Sequence, residues 1–296
     1  MKVNGHKTIL SALMCAMALT IAASCGKSPI ADSGDVPPHH KPEPDITVEN
    51  KFDKADGVVR LVSYNVGAFN KSAASSIQSI AKMMLELNAD AVCMNEVDSC
   101  TSRTANVYQA KKLAEALGGW NYHFCSSMAY RGGGYGNGLV VSSDFVKKST
   151  THLIIPKGAG SEQRSCAVMV TDKFVFMATH LDHKDEQARL NGVKIVTDWA
   201  KEKYGDTGIP VFVCGDMNCE PADAPILKLQ EDWTLLSVTK NTFKVTNPVK
   251  CIDFIFALKN NAKYEVVGSD VATSFTVADV TQASDHFPIY VDVKLK

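Results

Sequence analysis

The chain has 296 residues, 45% of them hydrophobic and 21% charged, with a formal net charge of −1, the balance of a soluble globular protein with a sizeable core. Without a strong overall field, tight non-specific attraction to nucleic acid is not expected, although a local basic patch is compatible with the totals. Of the nine cysteines, Cys15 and Cys25 fall in the N-terminal segment. The others lack CxxC spacing, which argues against a complete disulfide framework and against a cysteine zinc site. A bridge such as Cys100 with Cys125 stays open, while Cys93 and Cys214 sit in apolar runs that suit buried thiols.

At the N-terminus, Lys2 and Lys7 precede an apolar stretch from Ile9 to Ala23 that closes on "IAASC". This is the layout of a secretory signal peptide over residues 1–24, too short for a spanning helix. A cysteine directly after small residues resembles the lipobox of bacterial lipoproteins, with Ala22 where Leu is more usual, so Cys25 is the expected lipidation site, with plain secretion or an uncleaved anchor as the other readings. The protein is accordingly expected to be exported and lipid-anchored to the bacterial cell envelope, at the outer membrane or cell surface. Residues 25–56 hold Pro37, Pro38, Pro42 and Pro44 and little apolar material, and read as a flexible tether. One folded domain is expected from 57 to 296.

Within that domain, Val58 to Val66 reads as a strand, and Ile77, Ile80, Ala81, Met84 and Leu85 recur at helical spacing. Ala91 to Met94 is a second buried strand, and Val107 to Leu117 a helix stopped by Gly118 and Gly119. Strands then dominate at Asn121–Cys125, Gly138–Ser142, Cys166–Thr171 and Phe174–Thr179. Asp185 to Lys203 is helical, and strands follow at Val211–Cys214, Ile252–Ala257, Glu265–Gly268 and Pro288–Val293. Helices interspersed with consecutive strand pairs favour a mixed sheet or two packed sheets over a doubly wound fold.

Polar residues recur where the apolar runs stop. Asn65 follows "LVSY", Asn95, Glu96 and Asp98 follow "AVCM", and His180, Asp182 and His183 follow "VFMAT". Asp216 and Asn218 follow "VFVCG", Asp253 interrupts "CI…FIF", and Asp285 and His286 precede "FPIYVDV". Each alone is an ordinary turn or cap; six together predict one pocket at a common sheet edge. Glu96, neighbouring carboxylates and Asn65 offer hard oxygens suited to Mg2+ or Mn2+. His180 and His286 can donate to a phosphoryl oxygen or exchange a proton, and Asp216 can orient or deprotonate water. Asn218 can hold that water or a phosphate oxygen. The set suits metal-assisted attack of water on a phosphate ester. His180 and His183 lack the spacing and intervening Glu of a helical zinc pair, so His183 reads as a local structural residue and Asp182 as a helix cap. "RGGGYG", Arg131 to Gly136, lacks the context of a phosphate loop.

The segments "SYNV", "NEVD", "YGNGLVVS", "THLDH", "GDMNCEP", "IDFIF" and "SDHFP" stand in the order and approximate spacing of the endonuclease/exonuclease/phosphatase superfamily, which the chain resembles from about Val58 to its C-terminus. The resemblance implies an α+β fold, a four-layer α/β/β/α sandwich of two packed mixed β-sheets with outer helices. It implies Glu96 as principal metal ligand, Asn65 beside metal and phosphate, and Asp285 beside the metal. It makes His180 a phosphate contact, Asp216 and Asn218 the catalytic aspartate and its partner, and His286 a water-activating or transition-state-stabilising histidine oriented by Asp253. Which of Asp216 and His286 removes the proton stays open. Arg103 and Arg164 resemble cationic phosphate-gripping positions of bacterial members, with an exposed salt bridge as the other reading, and Asn137 is expected near the pocket edge. Asn95 stands where Gln is common, keeping the amide but shortening its reach.

The expected function is a divalent-metal-dependent phosphodiesterase or phosphatase, acting as a monomer on a small-molecule, lipid or nucleotide phosphate ester. An extracellular endonuclease, a sphingomyelinase-like phospholipid phosphodiesterase and a non-catalytic binding module are the alternatives. Nucleic acid is disfavoured by the weak net charge and the absence of a basic and aromatic stripe.

Overall fold

The computed structural model describes residues 46–296. The signal peptide expected over 1–24, the lipidation site Cys25 and most of the tether lie outside the described residues. Twelve strands form two six-stranded sheets. The first contains β1 (Val58–Asn65), β2 (Ala91–Ser99), β3 (Asn121–Tyr130), β4 (Gly133–Val141), β11 (Tyr264–Val271) and β12 (Ile289–Leu295), in the order β11-β12-β1-β2-β4-β3. The second contains β5 (Lys147–Ile155), β6 (Arg164–Thr171), β7 (Val175–Thr179), β8 (Val211–Asp216), β9 (Trp233–Leu235) and β10 (Asp253–Leu258), in the order β5-β6-β7-β8-β10-β9. Each sheet holds one parallel pair, β1 with β2 and β7 with β8, among antiparallel neighbours.

The layering follows from the strand composition. β1, β7, β8 and β10 are buried along their whole length, as strands covered on both faces must be. Leu61, Cys93, Leu139, Ala167, Phe176 and Phe212, drawn from both sheets, belong to one core, shared with α1 (Ile77–Glu86) and α2 (Gln109–Ala116). The other face of the second sheet packs Val168, Met177, Val213 and Phe254 against α3 (Glu186–Tyr204) and α4 (Ala224–Asp232). This is the expected α/β/β/α sandwich.

Local chemistry explains the boundaries. Ser76 caps α1 through a reciprocal pair with Ser79. Asp185, rather than Asp182, caps α3, accepting from the Ala188 N–H at 2.7 Å. "RGGGYG" forms the turn and first residues of the β3–β4 hairpin. The folded region also starts before Gly57. Phe52 packs against Phe275 and Tyr290, and the carbonyls of Phe52 and Asp53 accept from the Arg60 guanidinium, which is paired bidentately with Asp292 at 2.7 Å. Cys93, Cys125, Cys166, Cys214, Cys219 and Cys251 are buried thiols, so Cys125 is not bridged to Cys100. Among the described residues no helix is long and apolar enough to cross a membrane.

At the edges where β3 and β5 face one another, the His123 and His152 rings lie 4.7 Å apart. Burial, the His152 ring and Lys147 push His123 down to about 4. An unfolded histidine titrates near 6.5, so between these values the unfolded chain binds the extra proton and stability must fall as pH falls. Chemical denaturation between pH 7 and 4.5 is expected to show a shallower loss for His123→Gln than for the parent; equal slopes would remove His123 from the account.

Candidate active site

The polar residues predicted at the strand ends converge on one end of the sandwich because the C-terminal ends of β1, β2, β7 and β8 all open there. A β-bulge makes the first adjustment. The β2–β4 register runs Met94 to Gly138 and then Val97 to Gly136, so Asn95 and Glu96 together oppose Asn137. Glu96 takes φ +56°, and its carboxylate reaches the cleft. A left-handed non-glycine residue in a strand is costly and is held only by its surroundings.

Asn95, on the same bulge, binds the sheets together. Its Oδ1 accepts from the Asp216 N–H at 2.8 Å, and its Nδ2 donates to the Thr179 carbonyl and to Asn137 Oδ1, each at 2.8 Å. Asn137 Nδ2 continues the ladder to the Ser165 carbonyl at 2.8 Å. Both amides are fully or nearly fully buried. Asn137 therefore does not lie at the pocket edge; it stitches β4 to β6 beneath the pocket. Gly215 leaves space for this ladder, since a Cβ there would sit 1.8 Å from the Thr179 carbonyl oxygen of the adjacent strand and 3.2 Å from Asn95 Oδ1.

Above this ladder lies a cleft of about 360 Å³, lined by Glu96, Arg164, His180, Asp216, Asn218, Asp285 and His286 together with Tyr135, Glu162, His183, Phe243, Lys250 and Ile252. His286 Nδ1 lies 2.9 Å from Asp253 Oδ2, which also accepts from Thr242 Oγ1 at 2.5 Å. His286 Nε2 lies 3.6 Å from Asp216 Oδ2. Asp216 and Asp253 are direct cross-strand neighbours, an arrangement in which like charges repel and a cation between them is favourable. Burial works against a charged His286, but Asp253, with help from Asp216 and Asp285, outweighs it and raises its pKa. Burial raises the Asp216 pKa, with His286 opposing and Asp253 reinforcing the shift.

His180 is the counterpart with the opposite shift. Burial, then Arg164 and His286, hold it well below the ordinary histidine value, so it is neutral. Asn218 Nδ2 donates to its Nε2 at 2.9 Å and to the Leu181 carbonyl at 3.0 Å. In this arrangement Nε2 is an acceptor, not a donor to substrate. Asn65 is fully buried, donating to Glu96 Oε1 and Asp216 Oδ2, each at 3.2 Å, while its Oδ1 accepts from the Gly67 N–H. It ties the two carboxylates together from beneath.

The two arginines divide. Arg164 lines the cleft, its guanidinium reaching Glu162 at 3.0 Å and His183 at 3.1 Å, with Nε buried and unpartnered. Arg103 does not line it. Its Nε and Nη2 donate to Asp98 at 2.7 and 2.8 Å, and it stacks over Tyr130 and Tyr135, so the salt-bridge reading holds and Arg103 supports the Tyr135 wall. His183 is more than a local residue, since it contacts Arg164. Asp182 accepts from the Ser161, Lys184 and Asp185 N–H groups and so anchors the segment leading to Arg164. Lys71, Phe243 and Lys250 were not predicted. They sit in loops without periodicity, and only Lys71 touches the carboxylates, 3.1 Å from Asp285 and 3.5 Å from Glu96.

The chain belongs to the endonuclease/exonuclease/phosphatase family, whose model matches residues 62–286 and whose members are phosphoesterase hydrolases. No curated protein matches it in sequence. Solved structures share the fold. A Bacteroides thetaiotaomicron mannosyl-6-phosphatase aligns with TM-score 0.65 at 20% identity, over 79% of this chain and 99% of that one. D. rerio TDP2 complexed with single-strand DNA product aligns with TM-score 0.61 at 13% identity, over 80% and 99%. The human Nocturnin catalytic domain with bound sulfate aligns with TM-score 0.61 at 15% identity, over 83% and 97%.

Because Asn95 joins the sheets through three hydrogen bonds, Asn95→Ala is expected to cost about 2–4 kcal/mol in urea denaturation, leaving the buried Asp216 N–H and Thr179 carbonyl unmet. Asn95→Asp, which keeps the acceptor, should lose the two donated bonds and place a third carboxylate beside Asp216. A change within 0.5 kcal/mol for Asn95→Ala would refute the ladder.

Proposed function

We propose that the protein is a divalent-metal-dependent hydrolase of small phosphate esters. The observation that carries this reading is His286, buried between Asp253 and Asp216 on the floor of a cleft that also presents Glu96, Asp285 and Arg164. The donor set fits the metal: Glu96 and Asp285 are hard oxygen ligands, Asp285 Oδ1 is buried without a hydrogen-bond partner, and the pair already attracts the Lys71 ammonium. Ligand atoms of Asp216, Asp253 and His286 also lie within 4.8 Å of one another. With His286 hydrogen-bonded to Asp253, that trio is better suited to handling a proton. Bound at Glu96 and Asp285, Mg2+ or Mn2+ would polarise the phosphate and neutralise its charge.

The chain's own residues divide the remaining work. Asp253 fixes the His286 ring and sustains its positive charge, so His286 donates through Nε2 to a phosphoryl oxygen as negative charge builds there. A protonated His286 cannot be the base. Asp216, buried and more basic than an ordinary carboxylate, takes the proton from the attacking water. Asn218 and Asn65 hold His180 and Asp216 in place. Arg164, on the cleft wall, supplies a fixed cation for a phosphate oxygen.

The cleft volume accommodates a phosphate and a small alcohol group, walled by Tyr135, Phe243 and Ile252. Together with the net charge of −1, this favours a small phosphorylated metabolite, such as a sugar phosphate or nucleotide, over DNA or sphingomyelin. The likeness to a mannosyl-6-phosphatase points the same way. We further propose that the protein is exported and lipid-anchored through Cys25 to the bacterial cell envelope, at the outer membrane or cell surface, and acts as a monomer; the signal-like N-terminus supports the export.

Hydrolysis of bis- and mono-p-nitrophenyl phosphate, sugar and inositol phosphates, sphingomyelin and plasmid DNA, with Mg2+, Mn2+ or EDTA, tests the reading. EDTA should abolish turnover. His286→Ala and Glu96→Gln are each expected to lose about a hundredfold or more in kcat/KM, and Asp253→Asn about tenfold to a hundredfold, chiefly in kcat. Parental rates in His286→Ala, or full activity in EDTA, would reject it.

A further inference from the structure

Lys71 lies in the loop between the 3-10 turn at Gly67–Phe69 and α1, and the reaction outlined above makes no use of it. Its ammonium joins the two carboxylates assigned to the cation, reaching Asp285 Oδ2 at 3.1 Å and Glu96 Oε2 at 3.5 Å. The approach is built into the backbone. A Cβ at Gly67 would sit 2.2 Å from Lys71 Cε and 2.3 Å from Lys71 Cγ, so the lysine stem runs directly across the glycine α-carbon. Gly67 also holds φ +53°, a conformation that disfavours side chains on independent grounds. The lysine thus has a lane at one end and two acceptors at the other. Its side chain is 34% exposed, so the ammonium has an open route back to solvent.

A monovalent ammonium and a divalent ion cannot occupy the same carboxylate oxygens. Side by side they would repel strongly, since the cleft shields charge less than bulk water. The two carboxylates would repel one another without a cation between them. We propose that Lys71 is a built-in competitor for the divalent cation: it pairs with Glu96 and Asp285 and must swing toward solvent for the metal to bind. The inference rests on the metal reading above. Two consequences follow from it. The metal binds more weakly than the bare carboxylates would allow, which makes it exchangeable, and the carboxylates stay charge-balanced while the metal exchanges.

Isothermal titration of the EDTA-treated full chain with MnCl2 alone, without substrate, tests this. Lys71→Met, which keeps the stem and removes the charge, is expected to lower the Mn2+ Kd by about tenfold. Lys71→Arg should stay near the parent. Gly67→Ala, whose new methyl displaces the lysine stem, should shift affinity in the same direction as Lys71→Met. Before Mn2+ is added, Lys71→Met should also melt below the parent, and it should gain more from the metal. An unchanged or raised Kd in a folded Lys71→Met protein overturns the proposal; the raised value would mark Lys71 as a helper that stays beside the metal. Glu96→Gln separates the two readings. If it binds Mn2+ as tightly as the parent, the metal assignment itself fails; if it binds poorly while Lys71→Met matches the parent, only the competitor role fails.

Discussion

The site exists because two sheets approach each other closely enough for one buried carboxamide to serve both. Asn95 accepts from the backbone of β8 and donates to the end of β7 while standing on β2, so Glu96, its chain neighbour, is fixed relative to Asp216 on the opposite sheet. Side chains of unrelated strands can be held to a fraction of an ångström only when the backbones behind them are joined. The bare Cα of Gly215 leaves room for Thr179 on the neighbouring strand and for Asn95 Oδ1 from the other sheet, which a Cβ would approach to 1.8 and 3.2 Å, and the bulge of β2 turns Glu96 toward the cleft.

On this frame the electrostatics are nearly self-determined. Asp216 and Asp253 face each other across β8 and β10 because the register places them there, and His286 resolves their repulsion by remaining charged. Glu96 and Asp285 pose the same problem nearer the mouth, where Lys71 answers it. Burial, reinforced by Arg164 and His286, holds His180 neutral. One cleft therefore holds a cationic and a neutral imidazole about the same carboxylate, 3.6 and 3.4 Å from Asp216 Oδ2, and the difference comes from which neighbours carry charge.

Much of this was legible in the sequence. Apolar runs located thirteen of the elements, ten of them to within three residues at each end, while β2, β3 and β4 each extend five residues beyond an expected end; polar residues at their ends marked the pocket. Asn65, Glu96, His180, Asp216, Asn218, Asp253, Asp285 and His286 come together as their motifs implied. Hidden parts have physical reasons. β5 is exposed along most of its length and carries no apolar alternation, so nothing announced it. Lys71, Phe243 and Lys250 act from loops whose course depends on long-range contacts, such as the bridges from Phe243 to Lys250 and His286. Arg103 and Asn137 have the chemistry of phosphate contacts, but their partners Asp98 and Ser165 are revealed only by the fold.

Six buried cysteines carry a last implication. Burial raises the thiol pKa of Cys93, Cys125, Cys166, Cys214, Cys219 and Cys251 alike, and a protonated, enclosed sulfur is a poor nucleophile. The native state thus shields these sulfurs from oxidants in solution. Their vulnerability lies in the interval before the sheets close, when mispaired sulfurs could trap the chain. Any cell that sends this polypeptide into an oxidising space must let it collapse faster than its thiols can pair.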